Sequence, residues 1–189
     1  MTFQLTEPIL LIGLGGVGAS LAEKAKKSLN SDCLLISHDQ KDLTAENSIK
    51  ISTKSVVNPS THLIRGSTLE TSDEIKKNIA NYSTVILMSN LAGKAGVGIG
   101  PIVSRICKQE QKNLLSFAIM PFKFEKERIF QSGIALKRIR QDSQCTIVVD
   151  NDALLDSNPD LTQKQCYDIS NKAIESMMHS LKSSEISED

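Results

Sequence analysis

Ile9-Leu10-Leu11-Ile12-Gly13-Leu14-Gly15-Gly16-Val17-Gly18-Ala19-Ser20 joins a short apolar run to a glycine-rich turn, and the turn opens onto a segment of helical period that reaches Leu29. An apolar run of four residues bounded by glycine reads as a buried strand, and apolar residues three or four apart read as a helix. Glycines permit the tight turn between the two, and the free N–H groups of a helix N-terminus favour an anion. The helix dipole contributes only about 0.3 to 1 kcal/mol at an exposed site. A phosphate held here therefore needs partners from other loops.

The same alternation continues along the chain. Apolar runs at Cys33 to Ser37, Thr84 to Met88, Leu114 to Ile119 and Thr146 to Val149 are predicted strands. Helices are predicted from about Gly16 to Leu29, Ser72 to Ala80, Gly98 to Gln111, Glu127 to Gln141 and Leu161 to Leu181. Strands alternating with amphipathic helices predict an α/β fold of Rossmann type: a mostly parallel sheet with helices on both faces. The stretch from Ser52 to Thr71 supports no assignment. The final helix carries Cys166, Ile169, Ala173, Ile174, Met177, Met178 and Leu181 at helical spacing, which reads as packing against this domain or a partner.

At 189 residues the chain has the size of one domain. Residues 1–182 are expected to form it, followed by a disordered polar tail at 183–189 and no second domain. The 22 Lys+Arg and 22 Asp+Glu cancel, so bulk attraction to nucleic acid or an anionic membrane has no driving force. Aromatic residues are 4% and Trp is absent, which disfavours a base-stacking nucleic-acid surface. No run approaches the roughly 18 apolar residues that span a bilayer, and the first residues have no signal-peptide pattern. A cytoplasmic location is expected. Cys33, Cys107, Cys145 and Cys166 lie far apart among apolar neighbours and read as buried small hydrophobes, not as a metal site or disulfide frame.

A second glycine-rich turn follows the Thr84 to Met88 run: Ala92-Gly93-Lys94-Ala95-Gly96-Val97-Gly98. Two glycine-opened helices at the carboxyl edge of one sheet can clamp a polyphosphate from two sides, where an ordinary dinucleotide site uses one. Taken alone, the first turn also suits a dinucleotide site, with Asp39, 21 residues after Gly18, in place for a ribose contact.

Four stretches together resemble the nucleotide-binding domain of the tubulin/FtsZ family, more closely FtsZ and its archaeal relatives than tubulin. Gly13 to Ser20 is similar to the family's G-x-G-G-x-G-x-N turn, and Ala92 to Gly98 to its G-G-G-T-G-T-G signature. Met120-Pro121-Phe122-Lys123-Phe124-Glu125 resembles K-P-F-x-F-E, and Val149-Asp150-Asn151-Asp152-Ala153-Leu154 resembles I-P-N-D-x-L. The resemblance implies a GTP- or GDP-binding domain of a cytoskeletal or cell-division GTPase, with accompanying Mg2+ left open. Phosphates would meet Gly13, Gly15, Gly16, Val17, Gly18 and Ser20 in the first loop, and Gly93, Lys94, Ala95, Gly96, Val97 and Gly98 in the second. Glu125 and Arg128 would lie near the ribose, Asn151 would contact guanine, Tyr167 would stack on the base, and Asn171 would fall beside the base-reading position.

The departures from the family pattern have chemical content. Ala95 and Val97 replace the two signature threonines, Lys94 replaces a glycine, and Ser20 replaces the Asn that ends the first loop. Lys172 falls where the family places the Asp that accepts guanine N–H groups; losing such an acceptor costs about 1 to 3 kcal/mol. The glycine loop that senses the terminal phosphate has no counterpart between Ser52 and Thr71, and the paired acidic residues offered to a neighbouring subunit are expected to be absent. The resemblance with these departures implies weak or absent intrinsic GTPase activity and action through protein contacts, including self-association. The alternatives are a polymerising GTPase completed by a partner's carboxylate, a Rossmann protein using NAD, and a protein-binding module that has lost its nucleotide.

Overall fold

The computed structural model describes residues 3–54 and 56–183. Six strands form one parallel sheet: β1 (Ile9–Leu14), β2 (Asp32–Ser37), β3 (Ser48–Lys50), β4 (Thr84–Asn90), β5 (Asn113–Met120) and β6 (Cys145–Asp150). Their order is β3-β2-β1-β4-β5-β6, and every pairing is parallel. The described helices are α1 (Gly15–Leu29), α2 (Thr61–Glu70), α3 (Ser72–Ile79), α4 (Lys94–Gln109), α5 (Lys126–Asp142), α6 (Asn151–Ser157) and α7 (Gln163–Ser183). This is the expected Rossmann-like α/β class. None of these helices is long and apolar enough to cross a membrane.

The central strands are continuous apolar runs because both of their faces are covered, as a parallel sheet requires. Side chains alternate across β1. Leu10, Ile12 and Leu14 pack with Ile64 of α2, Ile75 and Ile79 of α3, and Ile99, Ile102, Val103 and Ile106 of α4. Ile9 and Leu11 point the other way, toward Leu21, Ala22 and Ala25 of α1 and Ile174 and Met178 of α7. The α7 stripe is thus mainly core: Cys166, Ile174 and Met178 are buried and Met177 half-buried, which leaves Ile169 as its exposed large apolar residue. Cys33 and Cys107 are buried free thiols, pushed by desolvation up to about 11 and about 12. Cys166 is buried as well and Cys145 half-buried.

Four elements depart from the sequence reading, one of them α6, a short helix directly after β6 that was not predicted. β3 is a three-residue edge strand, too short for a period to register. α2 lies inside the stretch that supported no assignment; Ser60 caps it by accepting from the Leu63 N–H at 3.2 Å. α4 begins at Lys94, four residues before the predicted start, because Gly96 and Gly98 are helical residues at close contacts and do not belong to a loop. The expected tail is only touched on: Ser183 ends α7, and residues 184–189 lie outside those described.

Candidate functional site

The connections run in opposite senses on either side of the β1–β4 pair, and ligands of open α/β sheets bind in the crevice at that switch point. Here β1 passes through Gly15, at φ +65, into α1. That left-handed turn is open to glycine at no steric cost. Gly18 lets α1 lie against β4: a Cβ there would sit 2.5 Å from the Met88 carbonyl oxygen. Gly13 faces Gly18 in the same crossing. Beside them the Asp42 carboxylate, held by the Ser37 hydroxyl at 2.6 Å, occupies the space next to Gly16.

β4 ends in a turn closed by its own groups. The Asn90 side-chain oxygen accepts from Ala92 N–H at 3.1 Å and its carbonyl from Gly93 N–H at 3.1 Å. Gly93 is the N-cap of α4 and supplies no side-chain acceptor, so the first N–H groups of α4 remain available to an anion. Ser132 of α5 donates to the Leu91 carbonyl at 2.6 Å and pins the turn from the far side.

Between these elements lies a cavity of about 730 Å³, bounded by Val17, Ser60 and Thr61, the 90–94 turn, Val97, Glu127, Arg128, Gln131 and Tyr167. A cavity of that size lies within the roughly 300 to 1,000 Å³ common for small-molecule sites. Arg128 pairs with Glu125 at 2.9 Å, and Glu125 also accepts from the Phe122 N–H at 3.0 Å, closing the loop before α5. Tyr167 reaches the cavity from α7 and meets Phe122 edge-on, ring centroids 5.6 Å apart. Burial pushes the Tyr167 hydroxyl above its ordinary range, and the Glu125 carboxylate adds to the effect.

Of the residues the sequence singled out, Val17, Gly93, Lys94, Val97, Arg128 and Tyr167 line this cavity, with Glu125 held behind Arg128. Ala95 is buried against Gly15 where α1 and α4 meet, and Gly98 receives Ile64 of α2. Gly96 packs on the Asn90 backbone. Ser20 is exposed on α1. Asp39 caps a 3-10 turn at Gln40–Asp42, accepting from Lys41 N–H at 3.0 Å, and is absent from the cavity wall.

Asn151 is fully buried: its side-chain oxygen accepts from Ser170 at 2.6 Å and its amide lies 3.5 Å from the Met120 carbonyl. Its amide thus ties β6 and β5 to α7. Asn171, one helical turn beyond Tyr167, is half-buried and its side-chain oxygen is buried with no hydrogen-bond partner. Lys172 is exposed.

Sequence reasoning missed Ser60, Thr61, Glu127 and Gln131 on the cavity wall, and Asp42 beside Gly16. The Asn58-Pro59-Ser60-Thr61 cluster carries a helix-start signal that would have located the first two. Nothing local marks the others.

An α/β domain of Rossmann-like type, with its cleft between two glycine-opened helices at the switch point, is the class these observations define. The chain belongs to the Tubulin/FtsZ family: the family's GTPase domain matches residues 8–159. It is 25% identical over 180 residues to the cell division protein FtsZ 2 of Halobacterium salinarum, covering 88% of this chain and 44% of that protein. With FtsZ 1 of the same organism it shares 26% over 184 residues, covering 90% and 46%. Among solved structures, an empty FtsZ dimer from M. jannaschii superposes with a TM-score of 0.81 at 20% identity, over 96% of this chain and 55% of that one. CetZ from Methanosaeta thermophila follows the same fold, with a TM-score of 0.74 at 17% identity over 93% of this chain and 53% of that one. The chain spans about half the length of these relatives.

Proposed function

We propose that this domain binds GTP or GDP in the switch-point cavity, turns it over slowly or not at all by its own residues, and acts with a cytoskeletal or cell-division polymer. The observation that carries this reading is the composition of one wall. The N-terminus of α4 is open, with Gly93 at its cap and Lys94 and Arg128 as the cations beside it, yet Val97 brings only methyl groups to the wall and Ala95, off the wall against Gly15, offers no hydroxyl either. Binding is thereby retained in kind and reduced in strength, since a hydrogen bond to a charged group contributes about 1.5 to 3 kcal/mol.

The purine would lie on the Tyr167 side. Asn171, one turn along α7, holds an unpartnered oxygen that is buried and outside the cavity wall, so accepting from base N–H groups, in the role the resemblance gives to a carboxylate at position 172, would require it to turn toward the cavity. Asn151 acts behind the site by fixing α7 to the sheet. Water activation needs a general base within hydrogen-bond reach. Among the described residues the one carboxylate on the cavity wall, Glu127, comes from α5 with Arg128 and not from the helices whose N-termini face the phosphates. No group of three or more His, Cys, Asp or Glu side chains converges on a metal site among the described residues. A Mg2+ ion here would depend on phosphate oxygens for most of its ligands.

Similarity to FtsZ proteins named for cell division supports polymer association. A second reading is a competent GTPase completed by a partner's carboxylate; the intact cavity favours it. An NAD site is less well supported, because Asp39 is engaged in its own turn.

Calorimetry with GTP, GDP, ATP and NAD, with and without Mg2+, tests the site. Micromolar binding of GDP or GTP with discrimination against ATP is expected. Binding of none of the four sinks it, and rapid GTP turnover by the isolated protein removes the claim of weak hydrolysis. Turnover that appears only with a full-length relative present selects the second reading.

A further inference from the structure

α2 and α5 press on α4 from its two sides. The Ile64 side chain lies 2.8 Å from where a Gly98 Cβ would be, and the Ile139 side chain 3.1 Å from where a Gly100 Cβ would be. Arg65 and Arg138, their neighbours in sequence, therefore stand on facing banks of α4, and both are half-buried. α4 offers them no counter-charge, since Lys94–Gln109 contains neither Asp nor Glu. Asp142, one turn beyond Arg138, is held by Lys108 at 3.3 Å. Among the described residues the ion pairs are Lys24–Glu175, Lys108–Asp142, Lys123–Asp156 and Arg128–Glu125, and none includes either arginine. The Arg65 Nε–H is buried without an acceptor. Desolvation lowers the Arg65 pKa from its ordinary value and the charge of Arg138 lowers it further. Beside Arg65 the surface is open, for a Cβ at Gly66 would meet nothing within 4 Å.

We propose that Arg65 and Arg138 form a second anion site, across α4 and outside the cavity, that takes a phosphate dianion either free or as a monoester. A buried donor without an acceptor and two like charges without a counter-ion both cost free energy, and one such ligand removes both costs. Two guanidinium groups match two negative charges, where a carboxylate brings one. Their planar forks also suit bidentate contact with phosphate oxygens. Along the helices the site lies one turn past Thr61 on α2 and two turns past Gln131 on α5, both on the cavity wall, and neither arginine lines that wall. It is therefore separate from the proposed nucleotide position and stands whether or not a nucleotide binds there.

The Arg65 Nε–H resonance, identified by its loss in Arg65→Lys, reports the site by nitrogen-15 NMR at about pH 7.5, where most phosphate is dianionic. Inorganic phosphate, methyl phosphate and acetate are titrated at matched ionic strength into wild type, Arg138→Gln and Arg138→Lys. Phosphate is expected to move the resonance saturably in wild type, and Arg138→Gln to weaken its binding roughly tenfold or more. Arg138→Lys keeps the charge and loses the fork, and should fall between them. Because neither arginine borders the cavity, dependence on Arg138 separates this site from phosphate bound at the α4 N-terminus. Methyl phosphate binding as tightly as inorganic phosphate assigns the site to a monoester, and its exclusion assigns it to the free ion. An Arg65 resonance unmoved by phosphate, equal phosphate affinity in wild type and both Arg138 variants, or acetate binding as tightly as phosphate would each overturn the proposal.

Discussion

Val97→Thr returns one hydroxyl to the cavity wall at nearly constant volume. Val97 is 4% exposed and serves two surroundings: it borders the cavity and packs in the cluster of Leu91, Ala118, Ala135 and Ile139. Threonine can keep a methyl on that cluster and turn its oxygen to the cavity. In the ligand-free protein the new hydroxyl has an acceptor at hand in the Gly93 carbonyl, four residues back, which already receives the residue 97 N–H at 3.2 Å. Exchanging that neutral bond, at about 1 kcal/mol, for one to phosphate, at about 1.5 to 3 kcal/mol, leaves a net gain of about 0.5 to 2 kcal/mol. The gain corresponds to roughly a twofold to thirtyfold tighter nucleotide. Losing a buried methyl lowers the stability of the free protein by about 1 kcal/mol, so affinity and stability move in opposite directions. Calorimetry with GDP reads the first and a urea midpoint the second. A folded Val97→Thr protein whose GDP affinity is unchanged or lower would refute the placement of phosphate on this wall. Ala95→Thr is a built-in contrast: the Ala95 methyl already lies 2.8 Å from where a Gly15 Cβ would be, so a larger side chain there should force α1 and α4 apart and weaken binding.

Gly96→Ala should lower the melting temperature by several degrees: its Cβ would overlap the Asn90 carbonyl oxygen and stand 2.7 Å from the carbonyl carbon, a backbone clash in the range of about 1 to 3 kcal/mol. Gly133→Ala should do the reverse, since Gly133 lies inside α5 with nothing within 4 Å of its Cβ position; helix propensity contributes roughly 1 kcal/mol there, about 2 to 4 °C for a chain of this length. Thermal melts of the two variants side by side decide both, and a stabilised Gly96→Ala would contradict the packing described. Stability should also fall as pH drops below about 6.5 partly through His38, whose pKa burial lowers despite the opposing pull of Asp42 and Asp39, with Lys50 and Lys94 adding to the lowering. The unfolded chain takes up that proton at a pH where the native chain does not, so stability is lost on acidification through this window. His38→Gln should flatten the dependence between pH 6.5 and 5; an identical slope in both proteins would show that His38 is not a source of it.

Much of the sheet was legible because it is buried on both faces. Strands such as Ile9 to Leu14 and Thr84 to Asn90 must be nearly all apolar, which is a local signal of composition. The helices covering them must be amphipathic, which is a local signal of period. β3 and α2 escaped because neither condition applies: β3 is three residues at an edge, and α2 buries only Ile64, Ser67 and Thr68. The boundary of α4 was misplaced for a related reason. Glycine reads as a turn former when the backbone around it is unknown, whereas Gly96 and Gly98 are small so that Asn90 and Ile64 can approach the helix.

By itself, then, the sequence determined the class of fold, the positions of both glycine turns at the carboxyl edge of the sheet, and the loss of two hydroxyls and gain of a lysine on the second turn. These are properties of residue identity and short-range order. Which polar side chains face the cavity was decided only by the tertiary structure. Asn151, expected to contact guanine, and Asn171, expected beside the base-reading position, carry the same amide and neither lines the cavity: one is consumed by Ser170 and Met120, and the other keeps a buried oxygen without a partner. Lys94 read as a loop cation, and its partners proved to be Asn58 and Pro59, 36 and 35 residues away. An amide or ammonium bonds equally well to ligand, backbone or neighbouring side chain, so its role is set by whichever acceptor or donor the completed fold brings within about 3 Å.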